Sequence, residues 1–176
     1  VDADPQGSAA WWCRRGEEPP CDVVTETDPA LLAKLHSVTD RDWIVVDTPP
    51  RLESDGLAAT VKASDYVVLP TPPAPLDMAA LIATVRELIR PTGVAHRVLL
   101  TRVDPRAHSE AQAALETLAE AGVPTFQAII RAYKVHERAA LAGVPVGEMT
   151  GATAKEAASD YRRLAKEVAR NVQEGK

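Results

Sequence analysis

Three aspartates are spaced for chemistry. Asp2 and Asp4 lie two residues apart in Val1-Asp2-Ala3-Asp4-Pro5-Gln6-Gly7-Ser8, and Asp47 closes a second apolar run, Trp43-Ile44-Val45-Val46-Asp47-Thr48-Pro49-Pro50. Residues two apart on a strand share a face. Each run reads as a buried parallel strand that delivers carboxylates to the loop at its C-terminal end, where open α/β sheets bind their ligands. Acidic groups gathered there suit a hydrated Mg²⁺ and the phosphates it carries. Phosphoryl transfer to water needs a carboxylate to position the nucleophile and a metal to neutralise charge on the phosphate oxygens. Asp4, at the loop edge, is placed for the first task and Asp47 for the second, with Asp2 a further metal candidate. A lone Asp at a strand end serves equally well as a helix cap. Two such ends in one short chain, each with proline close behind, favour a site.

The elements that must position these residues follow from the punctuation of the chain. Residues 8–15 read as a short helix stopped by Gly16 and Pro19-Pro20, and 21–25 as a short strand. Asp28-Pro29 supplies an N-cap with proline at the first helical position, leading into 30–37. The strand at 43–46 is followed by a helix capped by Ser54 or Asp55 and running to about residue 63. A strand at 66–69 ends at the proline-rich loop Pro70-Thr71-Pro72-Pro73, and an amphipathic helix from Leu76 to Arg90 is halted by Pro91. A strand at 97–100, a helix at 109–121 closed by Gly122, a strand at 125–130 and helices at 133–142 and 154–172 complete the chain. Strands alternating with helices predict one α/β domain over 1–176, a mostly parallel sheet in three layers with helices on both faces.

Composition bounds the function. The chain has 176 residues, enough for one domain with a substantial core. No run approaches the ~18 apolar residues of a membrane span, and no signal-peptide pattern is present. The net charge of −5 argues against a basic nucleic-acid coat, but the distribution is uneven. Residues 131–176 hold nine Lys/Arg against six Asp/Glu, and residues 1–130 hold eleven against nineteen. A basic C-terminal portion can be a polyanion footprint or simply a solvated helix face. Cys13 and Cys21 lack metal-site spacing and read as two reduced thiols. His36, His96, His108 and His136 show no ligand spacing, and of Trp11 and Trp12 one is expected in the core and one at the surface.

The ordered motifs resemble the ParA/MinD family of deviant P-loop ATPases. The stretch Val1-Asp2-Ala3-Asp4-Pro5-Gln6-Gly7-Ser8-Ala9 is similar to the signature after that family's second strand, and Trp43 to Pro50 to its Walker B strand with a D-x-P-P ending. Further similarities follow in order at residues 63–70, at Leu99-Leu100-Thr101-Arg102-Val103-Asp104, at Arg131-Ala132-Tyr133-Lys134-Val135-His136-Glu137 and at 142–146. The ending at 158–168 resembles the McdA-like branch, whose members space carboxysomes; small ParA proteins of plasmid partition and chromosome segregation are also similar.

The resemblance implies roles by position. Asp4 corresponds to the catalytic carboxylate that orients the attacking water, within a switch segment continuing through Pro5, Gln6 and Gly7. Asp47 corresponds to the Walker B carboxylate that holds Mg²⁺ through water, and Thr48, Pro49 and the residues to Arg51 to the second switch. Thr101 and Arg102 fall where family members line the adenine pocket. Lys134 corresponds to a position that holds non-specific DNA, with Arg131 and Arg138 as neighbours. Family members are cytoplasmic and nucleoid-associated, bind ATP and Mg²⁺, and form an ATP-dependent homodimer on DNA. A ParB-like or McdB-like activator then triggers hydrolysis, and no membrane is involved. One departure is large: the sequence contains no G-x-x-x-x-G-K-[ST] loop. The resemblance therefore implies a strand–loop–helix unit of about 35 to 45 residues ahead of Val1.

Two other classes compete with this reading. A phosphotransfer domain, either an aspartyl-phosphate phosphatase or a receiver, also places Asp at strand ends, with the first Asp of D-x-D as nucleophile. A non-catalytic member of the same fold would keep the scaffold and partner surface without hydrolysis.

Overall fold

A computed structural model describes residues 1–17, 21–49 and 55–174. The Pro19-Pro20 stop, the Ser54 cap and the Pro50-Arg51 end of the second switch lie outside the described residues. The chain forms two compact units, Val1–Ser64 with Arg138–Pro145, and Asp65–Glu137 with Val146–Lys176.

In the first unit the opening segment lies between two parallel neighbours, with Asp2 bridged to Thr25 on one side and to Asp47 on the other. The Asp2 amide donates to the Val24 carbonyl at 2.8 Å and the Glu26 amide to the Asp2 carbonyl at 3.0 Å. On the opposite edge the Ala3 amide donates to the Asp47 carbonyl at 2.8 Å and the Asp47 amide to the Val1 carbonyl at 2.9 Å. Three segments expected as strands thus pair in parallel, though over shorter lengths than their apolar runs predict. The run at 43–46 departs most from expectation: Val45 is 77% exposed and Trp43 57% exposed, while Ile44 and Val46 are half-buried. It bonds to 1–3 along one edge and buries one face only, so it is not the fully buried strand that its composition predicts.

Helices of this unit follow their caps. α1, Ser8–Cys13, begins after Gly7, whose φ of 67° is the left-handed conformation glycine adopts without strain. It ends two residues before the predicted end at residue 15. α2, Pro29–Leu32, has the predicted cap: the Asp28 carboxylate accepts from the Ala30 amide at 2.8 Å. The expected single helix at 30–37 is instead α2 followed by a 3₁₀ turn, Leu35–Ser37. α2 packs on α3, Asp55–Ala63, with Leu32 and Val61 fully or almost fully buried. Segment 138–145 is joined to the end of α1. The Arg15 side chain donates through Nε to the Leu141 carbonyl at 2.8 Å. Gly143, at φ 71°, lies so close that a Cβ there would sit 2.3 Å from the Gly16 nitrogen.

The second unit is built on two parallel strands, β1 (Tyr66–Thr71) and β2 (Ala95–Leu100), in the register Tyr66↔Ala95 to Thr71↔Leu100. β1 runs through Pro70, where the sequence predicts a loop. The Thr71 carbonyl accepts from Thr101, so it faces β2, and the Pro70 nitrogen one residue earlier faces away. Its missing N–H therefore removes no bond between the strands. Beyond β2, Val98 bridges Thr125 and Val103 bridges Arg131, again in parallel.

Alternation along β2 sends its side chains to two different layers. Val98 and Leu100 pack with Met78 and Val85 and with Ala111, Ala114 and Leu118. These come from the helical segment that starts with α4 (Pro75–Thr84) and from α5 (His108–Glu120). Leu99 points the other way and packs with Phe126, Ile130, Leu164 and Val168, the last two on α7 (Ala152–Glu174). Helices cover both faces of this pair, as the alternating pattern predicts. The long helix expected at 76–90 changes character at Thr84, becoming a π turn at Val85–Ile89 and a 3₁₀ turn at Arg90–Thr92. Pro91 has no N–H to continue the α-helical ladder, and Thr84 donates its hydroxyl back to the Ala80 carbonyl. The last shorter helix, α6, spans Val135–Ala142.

Candidate functional site

The site is built where the first unit's parallel segments end. Asp2 is fully buried, and its carboxylate holds the following loop in shape: Oδ1 accepts from the Asp4 amide at 3.2 Å and Oδ2 from the Ala10 amide at 2.8 Å. Asp4 continues the winding, accepting from the Gln6 amide at 2.9 Å through Oδ1 and from the Gly7 amide through its carbonyl. Pro5 and Gln6 at the tip are exposed, and Asp4 is half-buried. The loop from Asp4 to Gly7 is therefore a tight turn hung from a buried carboxylate, with α1 starting directly behind it.

Asp47 reaches the same end through its bridge to Asp2. More than a third of the residue is open to solvent, yet its carboxyl is raised above the ordinary range, first by burial, then by the negative charges of Asp2 and Asp4. Asp47 thus senses the charge of the other two aspartates that the sequence singles out. Thr48 and Pro49 follow, both half-buried. Among the described residues no group of three or more His, Cys, Asp or Glu side chains is arranged to hold a metal ion. Asp47 is the exposed member of the trio. Asp2, proposed from sequence as a metal ligand, has both oxygens engaged by backbone amides and acts as the anchor of the loop.

The second unit carries the remaining candidates. Thr101 and Arg102 follow directly on the C-terminal end of β2, the Thr101 amide donating to the Thr71 carbonyl at 2.8 Å. Arg102 is the single non-glycine residue with positive φ, 53°, among the described residues. A side chain held in that conformation at a strand end is a common mark of a ligand-facing loop.

Lys134 is exposed, as is Arg138 on α6 in the first unit. Arg131 has a different duty from the one its neighbours in sequence imply. Its guanidinium binds Asp160 of α7 through two parallel bonds, Nε to Oδ2 and Nη2 to Oδ1, each 2.9 Å, and its Nη1 reaches Glu156 at 3.2 Å. Asp160 is fully buried and takes a further bond from Arg163 at 2.7 Å. Burial by itself would raise the Asp160 carboxyl, but the Arg131 and Arg163 bonds hold it below the ordinary carboxylate range. The ring of His136 bonds the Arg131 carbonyl at 3.0 Å and packs edge-on to Tyr161. Arg131, expected as a neighbour of the DNA-contact lysine, is thus engaged within the fold by Asp160 and Glu156.

Sequence reasoning also missed the inward acids of α7. Glu167, nine-tenths buried, accepts the Gln127 and Ala128 amides at 2.9 and 3.0 Å, where the chain beside β2 leaves the ladder. A signal for it exists: Asp160 and Glu167 are seven apart, on the same helical stripe as Ala157 and Leu164.

No protein-family model matches the chain. A protein of Gloeobacter kilaueensis named maintenance of carboxysome distribution protein A is 56% identical over 172 residues, covering 97% of this chain and 80% of that protein. The chain belongs to the family of carboxysome distribution A proteins. A second protein of that name, from Halothiobacillus neapolitanus, is 30% identical over 177 residues, 96% of this chain and 81% of its own. The crystal structure of the cell division ATPase MinD of Pyrococcus furiosus superimposes with a TM-score of 0.64 at 22% identity, covering 82% of this chain. The chain spans 59% of that MinD chain. The chain thus has the P-loop NTPase fold of the ParA/MinD type that its ordered motifs predict. No helix among its described residues is long and apolar enough to cross a membrane.

Proposed function

We propose that this chain is part of a ParA-type ATPase that positions carboxysomes by cycling on non-specific DNA. The observation that carries the reading is the Asp2–Asp4–Asp47 arrangement, in which the Asp47 carboxyl is destabilised as an anion first by burial and then by its two acidic neighbours. A divalent cation relieves that repulsion, so the site is electrostatically suited to Mg²⁺ carrying the phosphates of ATP. Mg²⁺, when bound, supplies neutralisation of charge developing on the transferred phosphoryl oxygens.

The chain's own residues do the rest. Asp47 would hold the ion through its waters. Asp4, at the rim of the turn, accepts a proton-side hydrogen bond from the attacking water and orients it. Asp2 fixes Asp4 by bonding its amide, and so sets where that carboxylate points. Thr101 and Arg102 form part of the base pocket. Lys134 and Arg138 supply phosphate contacts to DNA, and the fixed Arg131 shapes the turn that presents Lys134. ATP-dependent homodimerisation doubles this basic surface, and a McdB-like or ParB-like activator ends the cycle by stimulating hydrolysis. Nucleoid association follows from DNA binding. Burial of Asp2 counts against the phosphatase form of the phosphotransfer alternative, because a nucleophile must meet its phosphate donor.

The test uses the protein expressed from its complete gene. ATP, and not ADP, is expected to raise its affinity for random-sequence DNA, with a steep salt dependence. Asp4→Ala is expected to abolish turnover while the ATP-bound dimer persists on DNA. Lys134→Glu is expected to abolish DNA binding and spare the dimer. DNA binding indifferent to nucleotide, or turnover surviving Asp4→Ala, refutes the mechanism; absence of any turnover in the wild type supports the non-catalytic scaffold instead.

A further inference from the structure

The two cysteines are eight positions apart in sequence, and the fold brings them together. Cys13, the last residue of α1, and Cys21, at the start of the segment that pairs with Asp2 through Thr25, line one open cavity of about 410 Å³ with Arg14, Gly16, Asp22 and Val23. Cys13 is buried, Cys21 exposed, and both are free thiols. Nothing in the nucleotide or DNA chemistry uses either.

We propose that Cys13 and Cys21 are a redox-modification site, forming a reversible intramolecular disulfide that ties the end of α1 to the neighbouring strand segment. The oxidant is a peroxide. The exposed Cys21 thiolate attacks the peroxide O–O bond, giving a Cys21 sulfenic acid and, after protonation, one water. The Cys13 sulfur then attacks the Cys21 sulfur: an S–S bond forms, the S–O bond breaks, the Cys13 proton is lost and the second water leaves. Two thiols are oxidised by two electrons in all, and the peroxide is reduced to two waters. A dithiol reductant reverses the step by exchange.

The order of events follows from environment. The Cys13 thiol is pushed up by burial first, and then by the nearby Cys21. A buried, proton-retaining thiol meets peroxide poorly, whereas an exposed one is the first to be oxidised. Once Cys21 is a sulfenic acid, the resolving cysteine lines the same cavity. The bridge closes a short ring behind the loop that carries Asp4, so the oxidised protein holds α1 more rigidly against the sheet.

The experiment reads thiols and is independent of ATP turnover. Native full-length protein is treated with hydrogen peroxide, then unfolded in an alkylating agent and digested without reduction. The expected result is loss of alkylation at both cysteines, a peptide pair linked through Cys13 and Cys21, and full recovery of both thiols with dithiothreitol. Amide exchange across residues 8–13 is expected to slow in the oxidised form. Cys21→Ser is expected to leave Cys13 a free thiol under the same treatment. Several results overturn the proposal: Cys13 alkylated while Cys21 is a sulfinic acid, disulfides only between chains, the same linkage forming as fast in urea, or unchanged exchange in α1.

Discussion

Truncating Arg131 separates a structural cation from a DNA-binding one. In the wild type its guanidinium makes two 2.9 Å bonds to Asp160 and one of 3.2 Å to Glu156. Asp160 is 0% exposed, so its charge depends on these partners. Removing one partner of a buried pair costs about 3–5 kcal/mol because the other charge is left uncompensated. In Arg131→Ala, Asp160 keeps the residue's backbone amide at 3.2 Å and the bond from Arg163, whose side chain is 62% exposed. Such a solvent-screened partner returns no more than about 1 kcal/mol. The expected loss is therefore about 2–4 kcal/mol at pH 7, which lowers the melting temperature by roughly 4–16 °C for a chain of this size. Urea titration followed by circular dichroism measures it.

The pH dependence has a definite sign. The folded-state Asp160 carboxyl lies below its ordinary value, so its contribution is full above the unfolded pKa of about 3.9 and is lost as pH falls through the lower folded value. Wild type and Arg131→Ala should converge on acidification. Lys134→Ala, at an exposed position, is expected to change stability by no more than about 0.5 kcal/mol while weakening DNA binding. An Arg131→Ala protein of wild-type stability, with its defect confined to DNA affinity, would refute the assignment of this arginine to the fold.

Three further outcomes follow from the same geometry. Asp47→Asn removes a carboxyl whose ionised form is penalised in the folded protein, so without Mg²⁺ and nucleotide it should raise stability at pH 7 by no more than about 1 kcal/mol after solvent screening. That gain should fade as pH falls through the raised folded pKa, where wild-type Asp47 takes up its proton, and denaturation at several pH values checks it. Gly143→Ala places a Cβ 2.3 Å from the Gly16 nitrogen at a φ of 71°, a combination expected to cost at least about 2 kcal/mol in thermal unfolding. Glu167→Gln exchanges a charge-assisted pair of bonds to Gln127 and Ala128 for one neutral bond and one clash of donors, an expected loss of about 2 kcal/mol. Faster amide exchange at residues 127 and 128 would locate that effect.

Local chemistry alone was enough to read much of this protein. The Asp28-Pro29 cap, the closure of α5 before Gly122, the parallel β1–β2 pair and the helix on each of its faces all depend on short-range rules, and each is present. Acid-tipped apolar runs were legible as neighbours because strand ends that face one loop region gather there in any parallel arrangement. What the sequence could not assign was which partner each charge would meet. Asp2 and Asp4 look alike in the string, yet one is buried against two amides and the other stands at the rim. Arg131 and Lys134 look like one basic patch, but a carboxylate 29 residues further on takes the arginine out of it. Cys13 and Cys21 carry no spacing signature, and it is the course of the backbone around them that sets the thiols side by side. For Asp2 and Arg131 the deciding quantity is a hydrogen-bonded charge whose energy exists only once the fold has excluded water from it.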